Sequence, residues 1–249
     1  YETNVFQMSG GEIILQDADG DADPEFYIPS LESNHNVTGG LVKFELNGGS
    51  IAQFSSTSNI WNLELTKTSG AGDIFVELDT TLKVSNDLVI GDGTTNIANV
   101  VLDHKGYDVF IGGDFTIGTD GAYYYFDDQY SKDPSADDVP VVWTTPAGYE
   151  NTTTFNGTNP STISLGNLDP DDTDACDQYN RIQPFHEIVI DKPSDVTVTL
   201  EAPNRFVTKN TITTSTTGGF RVESGIFDNG DYSVFLNGSI VNRGQLGVY

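Results

Sequence analysis

Strand-like runs follow one another along this chain, and several links between them hold only two or three residues without hairpin chemistry. Leu41–Leu46, Trp61–Leu65, Ile74–Leu78, Thr81–Val84, Asp87–Ile90 and Asn99–Leu102 each alternate apolar with polar residues and end at Gly, Asn, Asp or Ser. This period of two marks strands with one buried face. Between Val84 and Leu88 stand only Ser85, Asn86 and Asp87, and between Ile111 and Phe115 only Gly112, Gly113 and Asp114. Neither link carries the paired turn residues of a tight hairpin. They read instead as corners at which one strand bends onto the next face of a β-solenoid, whose turns repeat every 20 residues or so. No segment sustains a helical period of 3.6.

An internal repeat points the same way. Ile60-Trp61-Asn62-Leu63-Glu64-Leu65-Thr66-Lys67 parallels Phe185-His186-Glu187-Ile188-Val189-Ile190-Asp191-Lys192. Tyr107-Asp108-Val109-Phe110-Ile111-Gly112-Gly113 parallels Tyr232-Ser233-Val234-Phe235-Leu236-Asn237-Gly238 at the same offset of 125, and Asp103 falls in register with Asp228. The expectation is a single all-β domain over 1–249, a right-handed parallel β-helix, with a duplication over about 40–118 and 152–243. Residues 119–151 and 166–184 break the rhythm and are read as two projecting loop insertions, the places where function concentrates on a repetitive scaffold.

Composition narrows the function. With 11 Lys+Arg against 37 Asp+Glu, the formal net charge of −26 repels phosphate backbones and anionic lipid heads, which argues against nucleic acid and membrane surfaces as partners. No run approaches the length of a membrane-spanning helix. The 37% of hydrophobic residues supplies a core. Cys176 is the single cysteine, so no internal disulfide forms, and with three histidines a structural zinc site is not expected. Tyr1 opens a polar segment without the features of a signal peptide, and the chain begins mid-pattern, as a processed product or a piece of a longer parent chain would.

The blocks Trp61–Lys67, Leu82–Ile90 and Gly106–Thr116, together with Thr154-Phe155-Asn156-Gly157-Thr158, resemble the repetitive β-helix regions of large Bacteroidota cell-surface adhesins. Those proteins are substrates of the type 9 secretion system and include the SprB-like group of gliding adhesins. The resemblance covers about 37–118 and 152–249. It implies an extracellular, cell-surface setting and a role in adhesion or gliding motility. Its motifs are structural, so it implies nothing for the acidic insertions. Asp79-Thr80-Thr81 also resembles the short O-glycosylation acceptor of that phylum, with Thr80 as the modified residue.

Candidate chemistry is sparse. Asp17, Asp19, Asp21 and Asp23 alternate around Gly20 and could together offer calcium several of its six to eight oxygens. The pattern resembles the first half of an EF-hand loop but has Ile28 where the closing Glu belongs. Glu25 is a substitute, and a solvated acidic turn is the other reading. Asp169–Asp177 and Asp127–Asp138 are weaker cases of the same kind. Tyr123, Tyr124, Tyr125 and Trp143, with Phe126 and Tyr130, form either a sugar-stacking platform or the anchor that pins an insertion to the scaffold. No nucleophile elbow, metalloprotease or phosphate-loop motif is present. His186 stands where the repeat has Trp61, which suggests a residue on a strand surface. A carbohydrate-active β-helix would pair acids with a basic residue, and no such pair is visible around Arg205 or Lys209. The reading is an extracellular adhesive and structural segment, not an enzyme. Glycans or solid surfaces are its partners and calcium its only candidate ion. The alternatives are a polysaccharide lyase or hydrolase and a spacer without a ligand.

Overall fold

The computed structural model describes residues 5–18, 23–29, 32–91, 100–118, 122–125, 150–165, 183–201, 206–208, 219–232, 234–235 and 239–247. Strands are numbered β1–β23 in chain order. A nine-stranded sheet runs β1 (Gln7–Leu15), β3 (Asn36–Asn47), β5 (Asn62–Ser69), β8 (Leu88–Ile90), β11 (Phe115–Ile117), β14 (Ser161–Ser164), β17 (Thr197–Leu200), β20 (Ile226–Asp228) and β23 (Gln245–Gly247). A six-stranded sheet holds β7 (Leu82–Val84), β10 (Val109–Ile111), β13 (Thr152–Phe155), β16 (Glu187–Asp191), β19 (Gly219–Ser224) and β22 (Ser239–Asn242). A five-stranded sheet holds β2 (Phe26–Ile28), β4 (Ile51–Ser56), β6 (Ile74–Leu78), β9 (Val100–Asp103) and β12 (Ala122–Tyr125). A three-stranded sheet, β15 (Gln183–Phe185), β18 (Phe206–Thr208) and β21 (Val234–Phe235), continues beside β12. Among the described residues the only helix is a single 3-10 turn at Glu32–Asn34. The fold is all-β, and its strand pairs are parallel.

From β5 onward the chain visits the sheets in rotation: nine-stranded, then five- or three-stranded, then six-stranded, then back. The strands expected at 74–78, 81–84 and 87–90 are β6, β7 and β8, and Ser85–Asp87 and Gly112–Asp114 are the corners between the six- and nine-stranded sheets. Alternate side chains turn inward. Phe44, Phe54, Leu65, Val76, Leu88, Ile111, Phe155, Ile190 and Phe220 belong to one continuous apolar cluster. Aromatic rings join it in series, with Phe26 stacked on Phe54 at 5.2 Å and Phe220 edge-on to Phe227 at 4.8 Å.

Hydrogen bonds tie the corners layer to layer. Asp87 N donates to Asn62 Oδ1 (3.1 Å), Asp114 N to Asp87 Oδ1 (2.9 Å) and Thr162 N to Asp114 Oδ1 (2.8 Å). Each side-chain oxygen satisfies an amide one layer on, where the strand ladder has ended. The backbones approach too closely here for a side chain. A Cβ on Gly157, whose φ is +90°, would stand 2.5 Å from the Gly112 carbonyl oxygen. Gly157→Ala is therefore expected to cost about 2–3 kcal/mol, of which about 1–2 kcal/mol is the positive φ itself. Gly49→Ala is the control: its φ is +88° but nothing lies within 4 Å, so it should show the conformational part alone in urea unfolding. Equal losses at both positions would mean that the corners are not close-packed.

The 125-residue offset relates equivalent local geometry on different sheets. After β9, Tyr107 N donates to His104 O (2.7 Å), with positive φ at Lys105 and Gly106, and Asp103 Oδ1 accepts from Lys105 N (3.0 Å). After β20, Tyr232 N donates to Asn229 O (2.9 Å), with positive φ at Gly230 and Asp231, and Asp228 Oδ1 accepts from Gly230 N (3.0 Å). Both are turns of type I′. The tyrosines that close them are 39% and 38% exposed. Yet β9 belongs to the five-stranded sheet and β20 to the nine-stranded one. Leu63 and Ile188, Leu65 and Ile190, and His104 and Asn229 are thus buried at both positions of the offset but sit one sheet apart.

Candidate functional site

The outer face of the five-stranded sheet gathers the densest set of distinct side chains. Its parallel register lines up two rows. One row is Ile51, Phe75 and Val101, continued in backbone register by Tyr123. The other is Gln53, Glu77 and Asp103, continued by Tyr125, while Tyr124 is in register with the core residue Leu102. Parallel in-register pairing is what turns a single alternating strand pattern into an apolar row beside a polar one. The type I′ turn swings Lys105 back over the polar row, where its Nζ meets Asp103 (2.9 Å) and Glu77 (3.0 Å). Upstream, the Glu25 carboxylate accepts from the Gln53 amide.

Burial pushes the Asp103 carboxyl above its ordinary range, and Lys105 opposes that shift. Burial also works against the charge on Lys105, but the two carboxylates outweigh it and its pKa rises. An amine held this firmly in its ammonium form has no free pair with which to abstract a proton. The acid pair with a basic neighbour, sought around Arg205 and Lys209, is found here instead, and its electrostatics are those of an ion triad. Val101 and Asp103 are themselves buried, so what the face offers a ligand is a polar edge of Gln53, Glu77 and Lys105 along Ile51 and Phe75.

A second feature lies at the corner that leads into the six-stranded sheet, where polar side chains are buried in successive layers. Ser56 Oγ donates to Ser58 O (3.0 Å) and accepts from Ser58 N (3.1 Å). Thr80 Oγ1 accepts from Ser56 N (3.0 Å) and donates to Ser56 O (3.3 Å). His104, Asn151 and His186 continue the series, all buried. His104 Nδ1 accepts from Gly106 N (3.1 Å), so its ring proton sits on Nε2. Burial pushes His104 down to about 3, with a further push from His186, and burial also lowers His186 against the pull of Glu150 and Glu187. His186 is thus not on a strand surface. At the end of β15 the chain turns its ring into the corner, a direction the Trp61 match does not convey.

A buried amine completes the inventory. Lys192, 2% exposed at the corner after β16, donates from Nζ to Gly112 O (2.8 Å), Asn159 O (2.9 Å) and Ser161 Oγ. These acceptors belong to the two preceding layers. Burial pushes Lys192 down to about 8, and Asp114 opposes the shift. The sequence held one signal for it: Lys67 and Lys192 close the two matched blocks, each just past the last inward leucine or isoleucine.

The other expected site residues lie largely outside the described residues. Asp17 follows β1 and Asp23 precedes β2, while Asp19 and Asp21 lie outside the described residues, as do Trp143 and the Asp127–Asp138 and Asp169–Asp177 clusters. Most of both insertions falls there too; β12 and the backbone of Gln183–Pro184 are described. Thr80 is partly buried, its hydroxyl engaged with Ser56, so a glycan on Thr80 would replace the bond it donates. Among the described residues no three His, Cys, Asp or Glu side chains are grouped to hold a metal ion. No described helix is long and apolar enough to cross a membrane. No family model, curated protein or solved structure matches this chain.

Proposed function

We propose that the strands wind as a right-handed parallel β-helix and that the chain is an extracellular adhesive and structural segment of a larger bacterial surface protein. The observation that carries this reading is the rotation of short parallel strands through the same sheets around one continuous core. Such a stack has backbone ladders along its whole length and transmits load between neighbouring layers. Its net charge of −26 keeps such segments soluble and apart from one another, most strongly at low salt. The resemblance of Trp61–Lys67 and Gly106–Thr116 to secreted gliding adhesins supports the setting. Calcium at Asp17, Asp19, Asp21 and Asp23 and glycan contact through Tyr123, Tyr124, Tyr125 and Trp143 belong to this proposal.

The outer face of β4, β6, β9 and β12 is the surface we assign to a glycan. Pyranose rings present an apolar face and a rim of hydroxyls, the chemistry that Ile51 and Phe75 beside Gln53, Glu77 and Lys105 match. Carboxylates in that row favour neutral over anionic polysaccharides. The test is retention of protein-coated beads on immobilised neutral and anionic glycans. Retention on neutral glycans should fall at least threefold for Phe75→Ala with Glu77→Gln. No retention on any glycan, or equal retention of the variant, would defeat the assignment. A lyase or hydrolase would instead release oligosaccharides from pectin, alginate or glucan; none is expected.

A further inference from the structure

The corner leading into the six-stranded sheet does more than fill space. We infer that the histidines buried there, His104 and His186, form an acid-sensitive latch that holds the layers of β10, β13 and β16 together at neutral pH and lets them part in acid. Three observations carry this. His104, Asn151 and His186 occupy the same corner in three successive layers, all buried. The turn at His104 depends on a neutral ring, because Nδ1 accepts the Gly106 amide, and an imidazolium has no lone pair left to accept with. Layer-to-layer bonds converge on the same corner: Thr152 N donates to Asp108 Oδ1 (2.8 Å) between the β10 and β13 layers, Glu187 N to Asn151 O (3.2 Å) between β13 and β16, and Gly219 N to His186 O (3.0 Å) from β19 to β16.

The charged groups around the latch act unequally on its two rings, limiting the share of His186 and leaving His104 as the main element. Glu150 and Glu187 flank His186 and draw a proton toward it. On the β9 side, Asp103 and Glu77 are already bound to Lys105. A charge on His104 would lie buried and, once both rings are protonated, face a second imidazolium at His186. The duplication supplies a counterpart without the ring: Asn229 occupies the position of His104 in the second type I′ turn and donates from Nδ2 to Tyr232 O (2.9 Å).

The sign follows from proton linkage. An unfolded histidine takes up its proton near pH 6.5, whereas the buried ring resists it, so the open state binds more protons and stability falls as pH drops below 6.5. Each histidine fully excluded from protonation raises the unfolding constant about tenfold per pH unit in that range. The experiment is urea unfolding of the 249-residue chain at pH 7.5, 6.5, 5.5 and 4.5, for wild type and for His104→Asn with His186→Asn, asparagines this fold already places at Asn229 and Asn151. Between pH 6.5 and 4.5 the unfolding constant of wild type should rise at least about 50-fold more than that of the variant, the share of His104 alone, with His186 adding to it. Parallel pH dependences would overturn the inference. As a check that does not depend on a folded variant, the imidazole resonances of His104 in the native protein should not titrate above pH 5.5, and those of His186 should titrate below the ordinary histidine value. Titration of both near pH 6.5 would overturn it as well.

Discussion

Phe115→Ala is expected to cost about 3–5 kcal/mol. Phe115 is fully buried on β11 of the nine-stranded sheet. Its ring packs edge-on against Phe155 of β13 at 6.2 Å and against Phe185 of β15 at 5.9 Å. Three sheets therefore meet on one ring. Truncation removes the transfer free energy of the ring and leaves a cavity that three separate backbones would have to move to fill. Phe115→Leu should cost less than about 2 kcal/mol, because most of the volume remains. Urea unfolding of the two variants checks this. A loss below about 1 kcal/mol for the alanine variant would show that the sheets close around the gap, and that the interior is not packed as described.

Lys192→Ala is the second large effect, at about 3–5 kcal/mol near neutral pH. The ammonium gives hydrogen bonds to two carbonyl oxygens and one hydroxyl drawn from the two layers below it. Removing it leaves Asn159 O without this donor and Gly112 O with only the long bond from Ser161 Oγ (3.5 Å), at about 1–3 kcal/mol for each under-satisfied group, partly relieved by any water that enters. Lys192→Met keeps the volume and isolates the lost hydrogen bonds. The pH dependence has its own sign. The folded pKa of about 8 lies below the unfolded value of 10.5, so between these values the unfolded chain holds a proton that the folded chain has released. Stability from this group therefore increases as pH rises from 8 to 10.5, by about 2–3 kcal/mol, and is level below 8. Denaturant melts of wild type and Lys192→Met across pH 7 to 10.5 read the difference directly. A wild-type curve parallel to that of the methionine variant would mean that Lys192 titrates as an exposed lysine.

These two residues also mark where sequence reasoning stops. Phe115 was legible: it begins an alternating run just past a Gly-Gly-Asp corner, and an inward aromatic there needs no further information. Lys192 was not. It ends a strand like any solvated lysine, and only the stacking of Gly112, Asn159 and Ser161 beneath it makes an interior of that spot. His186 misled for the same reason. Alignment with Trp61 carried over its place in the repeat, but whether a ring at a corner turns in or out depends on the layers above and below.

The all-β class, the individual strands and the short corners were determined by the sequence itself, because they rest on local physics: alternation with period two, turn residues of fixed conformation and a scarcity of strong helix formers. The offset of 125 was also legible, since two matched blocks and one Asp carry it. Only the tertiary structure decided that the offset moves a matched residue by one sheet. That depends on how many residues each circuit spends at its corners, and corner length is a property of stacked layers rather than of one run. The rows on the five-stranded sheet were decided in the same way. Ile51, Phe75 and Val101 are more than twenty residues apart in turn, and Glu77 and Asp103 share no motif. Parallel in-register pairing sets them side by side, and that register is a long-range choice made by the continuous core and the Asn62–Asp87–Asp114 ladder together.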